Sequence, residues 1–264
     1  MQAVTNGIRM HYDVAGPASA PAVVLHHPLA TNLSFWDEAT AALQGKFRVV
    51  RFDARGHGKS DTPAGPYDFE TLSRDVLSLM DHLELRRAGF VGLSMGGMIA
   101  QHLAVRHGER FSCISIVSAS SKTADGMRHL WSERVQAARD RGMASQVEPA
   151  LQRWLTAANR ANRADLVQRC SRMIEATPVE GYAGWCSAIE QLDVTAKLDG
   201  IKTPTLVIVG ADDPATPVAV SETIQRNIPG AELAIIPTVS HMLAIENPAA
   251  FHAELLPFLI RHAT

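Results

Sequence analysis

A chain of 264 residues has room for one domain, or for one domain carrying a large insertion. At 46% hydrophobic and 20% charged residues it can bury a sizeable core, which argues against disorder. The formal net charge is −2 and the Lys and Arg residues form no basic stripe, so neither nucleic acid nor an anionic membrane is an expected partner.

The opening residues Met1 to Gly7 place no basic segment ahead of an apolar stretch, so no secretory leader is expected. A membrane span needs about 18 apolar residues in a row, and no such run occurs. Cys113, Cys170 and Cys186 form neither a CxxC pair nor an even framework. They read as buried filler in a reducing cytoplasm, with no metal site.

Residues 8–14 alternate, with Ile8, Met10, Tyr12 and Val14 on one face and Arg9, His11 and Asp13 on the other. That is strand period. Asn6-Gly7 just before them favours a tight hairpin, so the chain is expected to open antiparallel. Six short apolar runs follow, at 23–26, 48–52, 90–93, 112–118, 205–209 and 233–236. Helical stretches at 71–83, 97–107 and 218–228 lie between them. Strands alternating with helices imply βαβ crossovers and a mostly parallel sheet, whose doubly buried strands read as continuously apolar. Residues 122–193 break this rhythm, because apolar positions there recur only at helical spacing: Met127, Leu130, Trp131, Val135; Leu151, Trp154, Leu155; Leu166, Cys170, Met173. The expected organisation is a core from 1–121 and 194–264, with 122–193 as a helical cap over the C-terminal edge of the sheet.

The sequence Gly92-Leu93-Ser94-Met95-Gly96 joins an apolar run to a helical one. Gly-x-Ser-x-Gly in that context reads as a nucleophile elbow, a sharp turn that exposes Ser94 at a helix N-terminus. A serine nucleophile needs a base, and the base needs an orienting acid; in such sheets the order is Ser, acid, His. The strand at 205–209 is followed by Gly210-Ala211-Asp212-Asp213-Pro214. Two aspartates compete, and Asp213 fits Gly-x-x-Asp-x-x-x-Pro ending at Pro217. Among 11 histidines, position selects His241, in the loop 237–245 after the last strand. His252 and His262 fall on the terminal helix as solvated side chains. The oxyanion hole requires two backbone N–H groups. Met95, after the nucleophile, supplies one. In His27-Pro28-Leu29-Ala30 the proline has no N–H, so Leu29 is the second donor. His26 and His27 read as braces for this loop, with direct catalytic roles as the alternative.

At this point the chain resembles 3-oxoadipate enol-lactonases of the α/β-hydrolase superfamily. The similarity runs through residues 29–37, Phe52-Asp53-Ala54-Arg55-Gly56-His57-Gly58-Lys59-Ser60, the Ser94 elbow, residues 210–217, the stretch 176–183, and Ser240-His241-Met242 ahead of Glu246-Asn247-Pro248. It differs from that family's usual Asn-Ser-Leu-Gly at residues 27–30 and from Arg-Trp-Phe at Arg153-Trp154-Leu155. The resemblance implies an α/β-hydrolase fold and hydrolysis of a small ester or lactone through an acyl-enzyme, without metal or organic cofactor, as in aromatic catabolism. A C–C bond hydrolase or cofactor-free perhydrolase uses the same triad, and a ligand receptor on a hydrolase scaffold is the third reading. The cap is expected to set specificity. Trp154 and Trp131 are the leading pocket residues, with Trp185, Met127 and Met143 as others; Arg128, Arg134 and Arg153 are candidates to pair a substrate carboxylate. The expected partner is a small substrate, with a homo-oligomer possible in principle.

Overall fold

The computed structural model describes residues 1–263. Strands β1 (Gln2–Thr5) and β2 (Ile8–Ala15) pair antiparallel, and both turn residues, Asn6 and Gly7, have positive φ, as this tight hairpin demands. Strand β3 (Ala22–His26) is buried throughout, and a short helix α1 (Asp37–Leu43) leads to β4 (Arg48–Phe52). Helix α2 (Phe69–His82) begins two residues before the apolar periodicity suggests, because Asp68 caps it by accepting the Thr71 N–H at 2.7 Å. Strand β5 (Ala88–Leu93) includes Ala88 and Gly89, residues too small to register as an apolar run. Helix α3 (Met95–His107) starts directly after Ser94, and β6 (Phe111–Val117) follows.

Between β6 and β7 the chain is helical. It holds α4 (His129–Arg141), α5 (Ala144–Trp154), α6 (Ala157–Asn162), α7 (Ala164–Glu175) and α8 (Val179–Glu190). The two ends of this excursion lie side by side: Lys122 and Asp193 form a single antiparallel bridge and an ion pair at 3.0 Å. The core then resumes with β7 (Thr205–Gly210), α9 (Val218–Asn227), β8 (Glu232–Ile236), the turn α10 (Leu243–Glu246) and α11 (Pro248–His262). His252 on α11 is half-buried, and its Nε2 is buried without a partner, so it is not the solvated side chain expected.

The eight strands run in the order β1-β2-β4-β3-β5-β6-β7-β8, antiparallel through β2–β4 and parallel thereafter. Strands β5, β6 and β7 are buried at every position, which accounts for their unbroken apolar sequences. Chain direction across the sheet reverses between β3 and β5: β3 leads outward to β4, and β4 leads back over β3 to β5. Crevices at such switch points, beyond the carboxyl ends of the strands, are where ligands bind in open α/β sheets. Among the described residues no helix is long and apolar enough to cross a membrane.

Candidate active site

Ser94 leaves β5 at φ 54°, ψ −109°, a left-handed conformation that a non-glycine residue adopts only when its surroundings enforce it. Two hydrogen bonds do so: the Ser94 N–H donates to Val117 O at 2.8 Å, and Ser94 O accepts the Met98 N–H at 2.9 Å. The flanking glycines leave room for the turn. A Cβ on Gly92 would lie 2.1 Å from Gly96 O, and one on Gly96 would lie 2.4 Å from His26 O. The hydroxyl-bearing residue is therefore presented above the sheet at the start of α3.

Asp213 follows β7 and is buried, whereas Asp212 is exposed. Asp213 Oδ1 accepts the N–H groups of Ala215 and Thr216 at 2.8 and 2.9 Å. Its Oδ2 accepts the Thr216 hydroxyl at 2.6 Å and His241 Nδ1–H at 2.8 Å. Burial alone would raise the Asp213 pKa, but the charge and hydrogen bond of His241, with the Thr216 donors, bring it below the usual carboxylate value. Binding Nδ1 to Asp213 leaves Nε2 as the free nitrogen of His241. His241 lies in the loop between β8 and α10, is buried, and lines the same cavity as Ser94.

Leu29, after β3, lines the cavity with Ser94, and Met95 follows Ser94 as the first residue of α3. Neither backbone N–H has a hydrogen-bond acceptor among the described residues. Buried N–H groups are rarely left unpaired, and a pair of them beside a serine is what an oxyanion requires. The loop carrying Leu29 is held by a reciprocal lock of two histidines. His57 Nε2 accepts the Ala30 N–H at 3.0 Å, and His27 Nε2 accepts the Ala54 N–H at 3.0 Å. Ala30 sits at φ 56°, so the lock maintains a strained residue next to Leu29. Both rings must stay neutral to accept, and burial provides this, lowering His27 to about 4 and His57 to about 3. His26, also lowered to about 4 by burial, donates from Nδ1 to His27 O at 3.0 Å. All three act as braces.

These groups open on a cavity of about 340 Å³, within the usual range for a small-molecule site. Its core wall includes Leu29, Ser94, Met98, Thr216 and His241; its cap wall includes Met127, Trp131, Arg134, Arg153, Trp154 and Tyr182. Of the expected pocket residues, Trp131, Trp154 and Met127 line the cavity. Trp185 does not, being buried with its Nε1–H donated to Arg55 O at 2.8 Å; Met143 is buried away from it. Arg128 turns aside to pair with Asp125. Arg134 and Arg153 both line the cavity and have no carboxylate partner among the described residues. Arg134 stacks on the Trp131 ring, 4.5 Å from its centroid. Burial, and next the charge of Arg134, lower the Arg153 pKa to about 10. Gln146, Tyr182 and Thr216 were missed in the sequence; Thr216, three residues after Asp213 in a turn, carries the one signal that points to it.

A strained serine between strand and helix, an acid after β7 and a histidine after β8, at the carboxyl edge of this sheet, define an α/β-hydrolase. The chain belongs to that family: the profile of the alpha/beta hydrolase fold matches residues 21–248, and the chain is a hydrolase. It is 36% identical over 245 residues to 3-oxoadipate enol-lactonase 2 of Acinetobacter baylyi, covering 93% of this chain and 91% of that one. It is 31% identical over 268 residues to a putative carbamate hydrolase of Caulobacter sp., covering 98% of each. The crystal structure of the enol-lactonase from Burkholderia xenovorans superposes with a TM-score of 0.95 at 37% identity, covering 98% of this chain and 100% of that one.

Proposed function

We propose that this hydrolase opens a small lactone or ester that carries a carboxylate, with 3-oxoadipate enol-lactone as the first candidate, through an acyl-enzyme on Ser94. The observation that carries this reading is that Ser94, His241 and Leu29 line one cavity, with Asp213 hydrogen-bonded to His241 at 2.8 Å. His241 Nε2 takes the Ser94 proton as Oγ attacks the carbonyl carbon. The N–H groups of Leu29 and Met95 hold the oxyanion. Collapse breaks the acyl C–O bond, and His241 returns its proton to the leaving oxygen; with an enol-lactone this opens the ring and leaves an enol tethered to the acyl-enzyme, which tautomerises to the ketone. Water, deprotonated by His241, then cleaves the acyl-enzyme.

The substrate's charge is read from the cap. Two arginines lining a partly buried cavity without a carboxylate partner are costly, and a substrate carboxylate offsets that cost through charge-assisted hydrogen bonds. The relatives support the same class, since the enol-lactonases they include act on a lactone of this kind. Initial rates on the enol-lactone, a neutral lactone, p-nitrophenyl acetate, p-nitrophenyl hemisuccinate and an aryl carbamate test the proposal. The carboxylated lactone and the hemisuccinate should have the higher kcat/KM in their pairs. Preference for the neutral members, or for the carbamate, contradicts it.

A further inference from the structure

Glu246 is a buried carboxylate at the end of α10 with no part in the chemistry above. Its two oxygens serve two different parts of the chain. Oε2 accepts the backbone N–H of Ser240 at 2.6 Å, the residue immediately before His241. Oε1 accepts the backbone N–H of Thr156 at 2.7 Å and Asn159 Nδ2–H at 2.8 Å, both in the cap. A buried carboxylate persists only where donors replace its lost water, and here they come from segments more than 80 residues apart in sequence. The residue on the other side of His241 is tied to the cap as well: the Met242 N–H donates to Trp154 O at 3.0 Å. Ser240 Oγ adds a longer bond to Arg153 O at 3.4 Å. Both neighbours of His241 are thus bonded to the cap segment whose Arg153 and Trp154 side chains line the cavity.

We infer that Glu246 is a positioning residue that couples the seating of the cap to the orientation of His241. A substrate that presses on Arg153 and Trp154 acts on the same backbone that holds Ser240 and Met242. Ligand contacts in the cap then favour the histidine rotamer that faces Ser94. The inference rests on His241 as the general base. A substrate too small to reach the cap gains nothing from the coupling, and this separates it from mere structural support.

The test measures kcat and KM of Glu246→Gln on p-nitrophenyl hemisuccinate and on p-nitrophenyl acetate, well below the melting temperature. Gln retains an acceptor for one side of the bridge and loses the other. The expected result is a kcat loss of about 10- to 100-fold on the hemisuccinate, the range for a lost hydrogen bond to a charged group, with KM changed less and the acetate affected at most a few-fold. Asn159→Ala removes only one cap donor and should reproduce a smaller form of the same split. It also stands in if the Glu246 variant fails to fold. The double variant should lose no more than Glu246→Gln alone, because both act through one bridge. Equal losses on the two esters, or kcat within about twofold of the parent on both, overturn the coupling. His241→Ala run alongside keeps the two readings distinct: activity retained there removes the base assignment itself, whereas activity lost there with neutral Glu246 variants removes only the coupling.

Discussion

Across one cavity, Asp213 receives four hydrogen bonds and fixes His241 through the last of them, whereas Arg134 and Arg153 have no carboxylate partner among the described residues. The core side is over-determined. Ser94 is strained but held at both its N–H and C=O, and the Leu29 loop is clamped by two neutral histidines. The cap side leaves its charges open. Under the proposed mechanism the contrast follows from what each side would do. Groups that stabilise a transition state must be in place before substrate arrives, since reorganisation at that moment adds to the barrier. Groups that select a substrate take their partner from it.

The largest expected effect lies on the core side. Asp213→Asn should reduce kcat about 10⁴-fold, because the amide offers His241 the wrong hydrogen-bonding partner. Asp212→Asn should leave kcat unchanged, since that side chain is exposed and makes no hydrogen bond among the described residues. Equal rates in the two variants would erase the distinction drawn for the core wall. On the cap side, Arg153→Met should raise KM for the carboxylated ester by about 10- to 100-fold, the worth of a charge-assisted hydrogen bond, while kcat on the neutral ester stays close to the parent. A loss of kcat on both esters with KM intact would move Arg153 from recognition into the machinery of the core.

The smallest effect concerns acid. His26, His27 and His57 are held by burial at about 4, 4 and 3, below the ordinary value near 6.5. As pH falls from 6.5 toward 4 the unfolded chain binds protons that the folded chain refuses, so the folded state loses stability through each such group. Asp213 acts in the same direction at lower pH: its depressed pKa contributes stability above the ordinary carboxylate value, lost as pH falls through the folded one. Melting temperature should therefore fall steadily between pH 7 and pH 4.5. A flat profile over that range would mean the histidine lock does not require neutral rings.

The core wall was legible in the sequence because each of its parts is local. Gly92 and Gly96 stand two residues either side of Ser94, Asp213 follows its strand within three residues of Gly210, and His241 follows the last strand. The mostly parallel sheet needed no more than alternation of apolar and helical runs, whereas the order that places β4 outside β3 does not follow from that alternation. The cap wall was not legible to the same degree. Periodicity places Arg128, Arg134 and Arg153 on helices, but which of them is free depends on whether an acid such as Asp125 lies within reach. Trp131 and Trp185 look alike in sequence; one lines the cavity because α4 crosses it, and the other packs down onto Arg55. The roles of His57 and Glu246 depend on contacts spanning 27 and 90 residues, which no local pattern encodes; for His27 the loop suggests a brace but not its partner Ala54.

The most direct measurement is intact and peptide mass analysis of the protein quenched during turnover of a slow aryl ester, beside Ser94→Ala treated identically. The expected result is one acyl adduct on the peptide that contains Ser94, absent from the variant, whose kcat should fall about 10⁶-fold. Full turnover by Ser94→Ala, or an adduct on any other residue, would contradict Ser94 as the nucleophile.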